Sequence, residues 1–468
     1  MQEVALRSEV VGNEPANMRG EVRAMLGIAG PLVAAELGWM LQGVIDTMMV
    51  GRLPYSAAAI GGTAIANMLF YSTVIFIEGL LMGMDPLVAQ AFGAKRYEDC
   101  HRTLFGGMWL IIPLTPIQML LVWNALPWIR AYGVDPAVMV QAREFMIALV
   151  WSSLPLLVYF VLRHYLQAMN HVHIVMFTLV SANLVNWLFN WLLIYGHVGF
   201  PAMGVRGSGW ATVIARVYMA AVLTGYLIWI NRREHMRIFG VARERTCKIL
   251  REILRYGIPS GVQIELELAV FFISAVWIGT LGALPIAAHQ VALNVVAMTY
   301  MVPLGIGAAA AVRVGQAIGR RDPHGARRAG RVAIAMGAGF MALCGIALVA
   351  APHAIARAFS DNEQVVGAAV SLLRVGAIFQ LFDGIQVVSS GSLRGAGETR
   401  LPMLTVLFAY WFAGLPVGYW LCFHAGWGAR GLWVGFCTAL IIVGLVLGVG
   451  WNRNALALAE RFGSKATA

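Results

Sequence analysis

Charged side chains are scarce: Asp, Glu, Lys and Arg together make up 12% of the chain, about half the share in a water-soluble domain. A polar shell around one water-excluded core is therefore not the plan of this molecule. Cysteine is thin as well. Cys100, Cys247, Cys344, Cys422 and Cys437 form no CxxC pair, so neither a disulfide framework nor a zinc site is indicated and they read as packing residues. There is no HExxH pair, GxSxG elbow or Walker A loop, which removes support for an intramembrane hydrolase or an ATP-driven pump and points to a non-enzyme. Gly305 with Gly307 and Gly337 with Gly339 look superficially like nucleotide loops, but lie in apolar runs with no preceding strand. The first 24 residues, with Glu3, Glu9, Glu14 and Glu21, lack the apolar core of a cleavable signal.

What fills the chain instead is apolar sequence, 59% of all residues, with a mean hydropathy of +0.73. A hydrocarbon layer about 30 Å thick needs about 20 apolar helical residues per crossing. Twelve windows meet that criterion, from 25–50 to 431–451, with the fourth at 142–162 and the tenth at 365–390. Runs such as Met108 to Trp123 are continuously apolar, unlike the alternating segments of a barrel. An all-α membrane protein of twelve transmembrane helices is predicted. The net charge of +11 is the footprint expected of nucleic-acid binding, but the bases fall mostly in the loops of one side, as the positive-inside rule requires. They are densest after the sixth span, at Arg232, Arg233, Arg237, Arg243, Arg245 and Lys248. The partner is therefore the lipid bilayer rather than nucleic acid, with both termini cytoplasmic.

The sequence is written twice. Val88-Ala89-Gln90-Ala91-Phe92-Gly93 recurs 226 residues on as Val314-Gly315-Gln316-Ala317-Ile318-Gly319, and Arg102 matches Arg328 at the same offset. Leu166 matches Leu393, Met176 matches Met403, and Arg206-Gly207 matches Arg430-Gly431 at nearly that spacing. Six crossings per copy predict two homologous six-helix lobes, parallel repeats about a pseudo-two-fold axis along the membrane normal. The divisions are a tail at 1–24, an N-lobe at 25–230, a basic linker at 231–250, a C-lobe at 251–452 and a tail at 453–468. Pro31 and Pro259 stand at matching places near the starts of spans one and seven, either as hinges or as kinks in packed helices.

Acidic residues within spans are costly and need a reason. Glu36, Asp46, Glu78, Asp85, Glu265, Glu267 and Asp383 lie there, against Arg216, Arg313 and Arg374 as the only bases assigned to spans, so acids are in excess. An unpaired buried carboxyl holds a proton or a cation, unless it is a structural acid bonded to backbone. Asn186 and Asn190 share one face of the fifth span. With Asp46, and with Ser181 and Asn183 close by, they offer a hard cation its oxygen ligands, or they bond neighbouring helices. Gln290 and Asn294 repeat that spacing in the C-lobe, and His289 beside them is either a proton relay or a helix-to-helix hydrogen bond.

Four strings then resemble a known family: Val44-Ile45-Asp46-Thr47-Met48-Met49-Val50-Gly51; Ala287-Ala288-His289-Gln290-Val291-Ala292-Leu293-Asn294; Arg313-Val314-Gly315-Gln316; and Asp383-Gly384-Ile385-Gln386-Val387-Val388 running into Gly391-Ser392-Leu393-Arg394-Gly395. They are similar to multidrug and toxic compound extrusion (MATE) transporters of the NorM-like branch. The resemblance implies a V-shaped pair of lobes that exchanges outward-open and inward-open forms and expels small organic cations or amphipathic drugs against sodium ions or protons. It implies no other cofactor, a bacterial inner-membrane location and a monomer. Its cation-coupling residues map onto Asp46, Asn186, Asn190 and Thr212 in the N-lobe and onto Glu267 and Asp383 in the C-lobe. Some relatives carry aspartate where Asn190 stands, and tyrosine where Phe379 precedes Asp383. Glu36, Glu78 and Asp85 receive no role from the resemblance. Alternatives are a flippase for a lipid-linked precursor and, from another class, a membrane-embedded enzyme or receptor.

Overall fold

Each apolar window is a helix, and nearly every helix outruns its window. A computed structural model describes residues 18–131, 134–240 and 246–463, so Arg243 and Arg245 of the linker, Glu3, Glu9 and Glu14 of the tail, and residues 464–468 lie outside the described residues. The spans are α1 Met18–Val50, α2 Ser56–Gly93, α3 Tyr97–Ala125, α4 Pro136–Ala168, α5 Val172–Tyr195, α6 Val205–Glu234, α7 Thr246–Gly279, α8 Ala283–Gly319, α9 Pro323–Ala350, α10 Glu363–Gly395, α11 Arg400–His424 and α12 Ala429–Ala457. No strand occurs among the described residues.

The starts follow capping rules. Asp135 accepts from Ala137 N (2.7 Å) ahead of Pro136, and Asp322 accepts from Gly325 N (2.8 Å) ahead of Pro323. Asn362 caps α10 in the same way. Helix α11 departs from α geometry over Leu407–Gly414 and Trp420–His424, which are π-helical.

Two large apolar cores form, one per lobe, and α1, α5 and α7 each place residues in both, α5 through Val172 alone on the C-lobe side. Met25, Ala29 and Leu32 of α1 are buried in the C-lobe core, while Ala35, Met49 and Val50 of the same helix belong to the N-lobe core. Symmetrically, Ile253 of α7 is buried in the N-lobe core and Val270 in the C-lobe core. The crossover in α1 lies just after Pro31, before Ala35, and that in α7 lies between Ile253 and Val270, a stretch that contains Pro259.

The lobes meet at the end of the molecule that carries the basic linker, and small residues permit the approach. A Cβ on Gly257 would lie 2.0 Å from Leu80 O, and one on Gly79 would lie 2.4 Å from Gly261 Cα. Side chains close the same seam. Gln316 donates to Ala168 O (3.0 Å) and Asn170 Oδ1 (2.9 Å), and Gln90 donates to Gly395 O (3.0 Å), while Arg313 holds the start of α1 on the C-lobe through two hydrogen bonds to Glu21 of 3.0 and 2.9 Å. Gly257→Ala is expected to force the seam apart, since overpacking of this kind costs about 1–3 kcal/mol, or about five- to 150-fold in the joined population. The distance distribution between spin labels placed at positions 97 and 324, one on each lobe, measures that loss.

Candidate functional site

In the N-lobe, α1, α5 and α6 bring Asp46 to the two asparagines. Asn190 Nδ2 donates to Asp46 Oδ1 (2.7 Å) and to Asn186 Oδ1 (3.1 Å), and Thr212 Oγ1 donates to Asp46 Oδ2 (3.3 Å). Both asparagines are fully buried, and Asn190 Oδ1 has no partner. One carboxylate, two amide oxygens and a hydroxyl form a donor set that fits a hard cation. Ser181 and Asn183 are not part of it. Ser181 bonds its own helix and Tyr218, and Asn183 donates to Gly38 O and Leu179 O, joining α5 to α1. Arg216, one turn beyond Thr212, is bonded to Ser152 and Tyr71 and lies over Phe70 at 4.7 Å.

The C-lobe pair lies elsewhere, on a cavity of about 460 Å³ between the lobes. Glu267 accepts from Gln263 Nε2 (3.1 Å) and from Gln386 Nε2 (3.0 Å). Asp383 is 6% exposed, and its Oδ2 has no hydrogen-bond partner. Phe379 packs on Trp433 with ring centroids 5.5 Å apart, so it supplies no hydroxyl. Tyr300 and Tyr410 line the same cavity wall as Glu267 and Asp383 and bring hydroxyls there. Tyr410 stands in the first π-helical stretch of α11, and such stretches are frequent at functional sites. These tyrosines were not singled out in the sequence. Gln263 had a signal, four residues before Glu267 on the same helix face.

Three residues expected as supporting polar groups are absent from the cavity lining. Gln290 Nε2 bonds Asn294 Oδ1 at 3.4 Å on an exposed face, and His289 Nδ1 accepts from Trp433 Nε1 at 3.1 Å. Of the two readings open for His289, the helix-to-helix hydrogen bond is the one seen.

The count of intramembrane bases is corrected. Arg163 and His164 of α4 and Arg394 of α10 lie inside helices and line the cavity. Arg163 is paired with Glu36 and stands 3.9 Å from Glu78, while Asp85 is held by His164 Nδ1 (2.8 Å) and Arg394 Nε (3.3 Å). Glu36 and Asp85 are therefore paired. Acids still outnumber bases on the wall, with Glu36, Glu78, Asp85, Glu267 and Asp383 against Arg163, Arg394 and His164.

A sequence profile described as MatE matches residues 31–192 and 259–420, two copies of equal length that start at the paired prolines. The chain belongs to the MATE family. Among its relatives are a probable multidrug resistance protein NorM of Mesorhizobium japonicum, 36% identical with 94% of this chain and 96% of that one covered, and the multidrug resistance protein NorM of Burkholderia vietnamiensis, 36% identical with 90% and 91% covered. The eukaryotic MATE transporter AtDTX14 superimposes with a TM-score of 0.82 at 24% identity, over 95% of this chain and 99% of that one. A MOP superfamily transporter from Pyrococcus furiosus gives 0.83 at 20% identity, over 94% and 97%. These structural likenesses carry the fold of this MATE protein: twelve spans in two repeated halves.

Proposed function

We propose that this MATE protein is a secondary active exporter of cationic or amphipathic small molecules, driven by antiport with sodium ions or protons, with its basic end facing the cytoplasm. The carrying observation is Asp383 Oδ2, buried without a partner beside Glu267 on the wall of the cavity between the lobes. A carboxyl placed so in a low-dielectric interior is satisfied by a proton, by a small cation or by a positively charged ligand. Competition among these for one site gives exchange, because an ion shifts the lobes only if it binds one arrangement better than the other. The names of the NorM relatives support drugs as the cargo. Asp46, Asn186, Asn190 and Thr212 form a second set suited to sodium.

The aromatic and aliphatic parts of the wall, among them Trp39, Phe160, Phe271 and Phe379, suit the organic body of the cargo. The lipid-precursor reading asks for a broad free basic groove. Here the two cavity arginines are paired with Glu36 and Asp85, which favours cations instead.

Reconstitution in proteoliposomes tests the reading. Efflux of a fluorescent organic cation should follow an imposed sodium or proton gradient and reverse when that gradient is reversed. Transport indifferent to both gradients overturns antiport.

A further inference from the structure

The seam between the lobes contains one ionic group that also reaches the cavity. Asp85 of α2 is 2% exposed, accepts a hydrogen bond from His164 Nδ1 of its own lobe and forms an ion pair, 3.3 Å long, with Arg394 Nε of the other. His164 is 4% exposed, lines the cavity, and its Nε2 has no partner. Because Nδ1 donates to the carboxylate, Nε2 is left as the basic nitrogen.

Arg394 ties the group to the C-lobe. It lies eleven residues after Asp383 on α10, about three helical turns, so the two share one face. The other charged groups around His164 are Arg163, Glu36 and Glu78. Arg163 is paired with Glu36, and His101 of α3 is bonded to Tyr165 at 2.8 Å. Asp85 therefore faces both groups at once, His164 at Oδ1 and Arg394 at Oδ2.

We propose that His164 is a proton-binding site, distinct from the cation-coupling acids, that controls the seam through Asp85. With a neutral imidazole, the carboxylate serves Arg394 and the lobes stay joined. A proton added at Nε2 gives His164 a full positive charge, neutralises Asp85 and places a like charge next to Arg394, and the lobes part at the basic end. The site goes beyond the proposed antiport and is separable from it.

The test uses the full chain in lipid nanodiscs, with Cys247→Ser removing the exposed native thiol and spin labels at Tyr97→Cys and His324→Cys, both exposed and one on each lobe. Lowering the pH from about 8 to about 5.5 should raise the separated population by about threefold or more. His164→Gln should hold that population at its high-pH level throughout, and Asp85→Asn should give separated lobes at both pH values. Where His164→Gln does not give a monodisperse protein, Arg394→Gln replaces it, and must give separation independent of pH. A double variant Glu267→Gln, Asp383→Asn should lose gradient-driven export and keep the pH response. A pH response that survives in His164→Gln, or vanishes in that double variant, overturns the proposal, as does a parent protein whose lobe separation ignores pH.

Discussion

Glu267→Gln combined with Asp383→Asn is expected to abolish gradient-driven export while leaving the protein folded. Across about 100 mV each translocated charge contributes about 2.3 kcal/mol, about fiftyfold in concentration. A variant that no longer exchanges an ion for its cargo loses that factor for every charge uncoupled. Folding should survive, because glutamine at 267 still offers an acceptor to Gln263 and Gln386, and Asp383 Oδ2 has no partner to lose. The readout is the steady-state gradient of a fluorescent organic cation in proteoliposomes at fixed sodium and pH gradients. Each single variant should also fall well below the parent. Full retention of transport in both singles removes the C-lobe from the coupling mechanism.

Arg163→Leu is expected to give the largest loss of stability. Glu36 and Glu78 flank this arginine in a buried stretch of the cavity wall. Breaking a buried ion pair by deleting one partner costs about 3–5 kcal/mol, because a charge is left uncompensated in a poor solvent for it. Adding Glu36→Gln and Glu78→Gln to Arg163→Leu should restore most of that loss, since the charges then vanish together. Thermal unfolding in a mild detergent, followed for the single and the triple variant, measures both. If the triple variant is no more stable than the single, the arginine acts through its packing rather than its charge.

The two cases show where sequence reasoning reached and where it stopped. Twelve crossings were legible because hydrocarbon thickness sets a length that composition alone can meet, and the repeat was legible because both halves kept their residues at a near-constant offset. The pairing of Asn186 with Asn190, and of both with Asp46, followed from helix periodicity and the family strings. Arg163 and Arg394 were missed for a physical reason. The fourth and tenth windows ended at 162 and 390, yet the helices continue to Ala168 and Gly395. A hydropathy window closes where charge begins, so it trims off the side chains that neutralise acids deeper in the bundle. Glu36 and Asp85 consequently looked unpaired in sequence, and they are not. The tyrosines on the cavity wall carried no signal, since an aromatic in an apolar helix is as suited to lipid as to a lumen. Gln290 and Asn294 share one helix face as their spacing requires, but that face does not line the cavity, which periodicity cannot distinguish.

The exchange of half-helices between the cores has a consequence for how the chain is made. Met25, Ala29 and Leu32 leave the ribosome well before α8, yet their resting place is mostly among residues of α8 and later helices. At about 5 to 20 residues per second, α8 appears on the order of ten to fifty seconds later. For that interval this half-helix lacks most of its permanent neighbours, having Val172 of α5 but nothing of the C-lobe, and must be sheltered by lipid or by the insertion machinery. Assembly of the amino-terminal half thus finishes only when its twin has been synthesised, and a message truncated after the linker would yield a product that cannot complete its own interior.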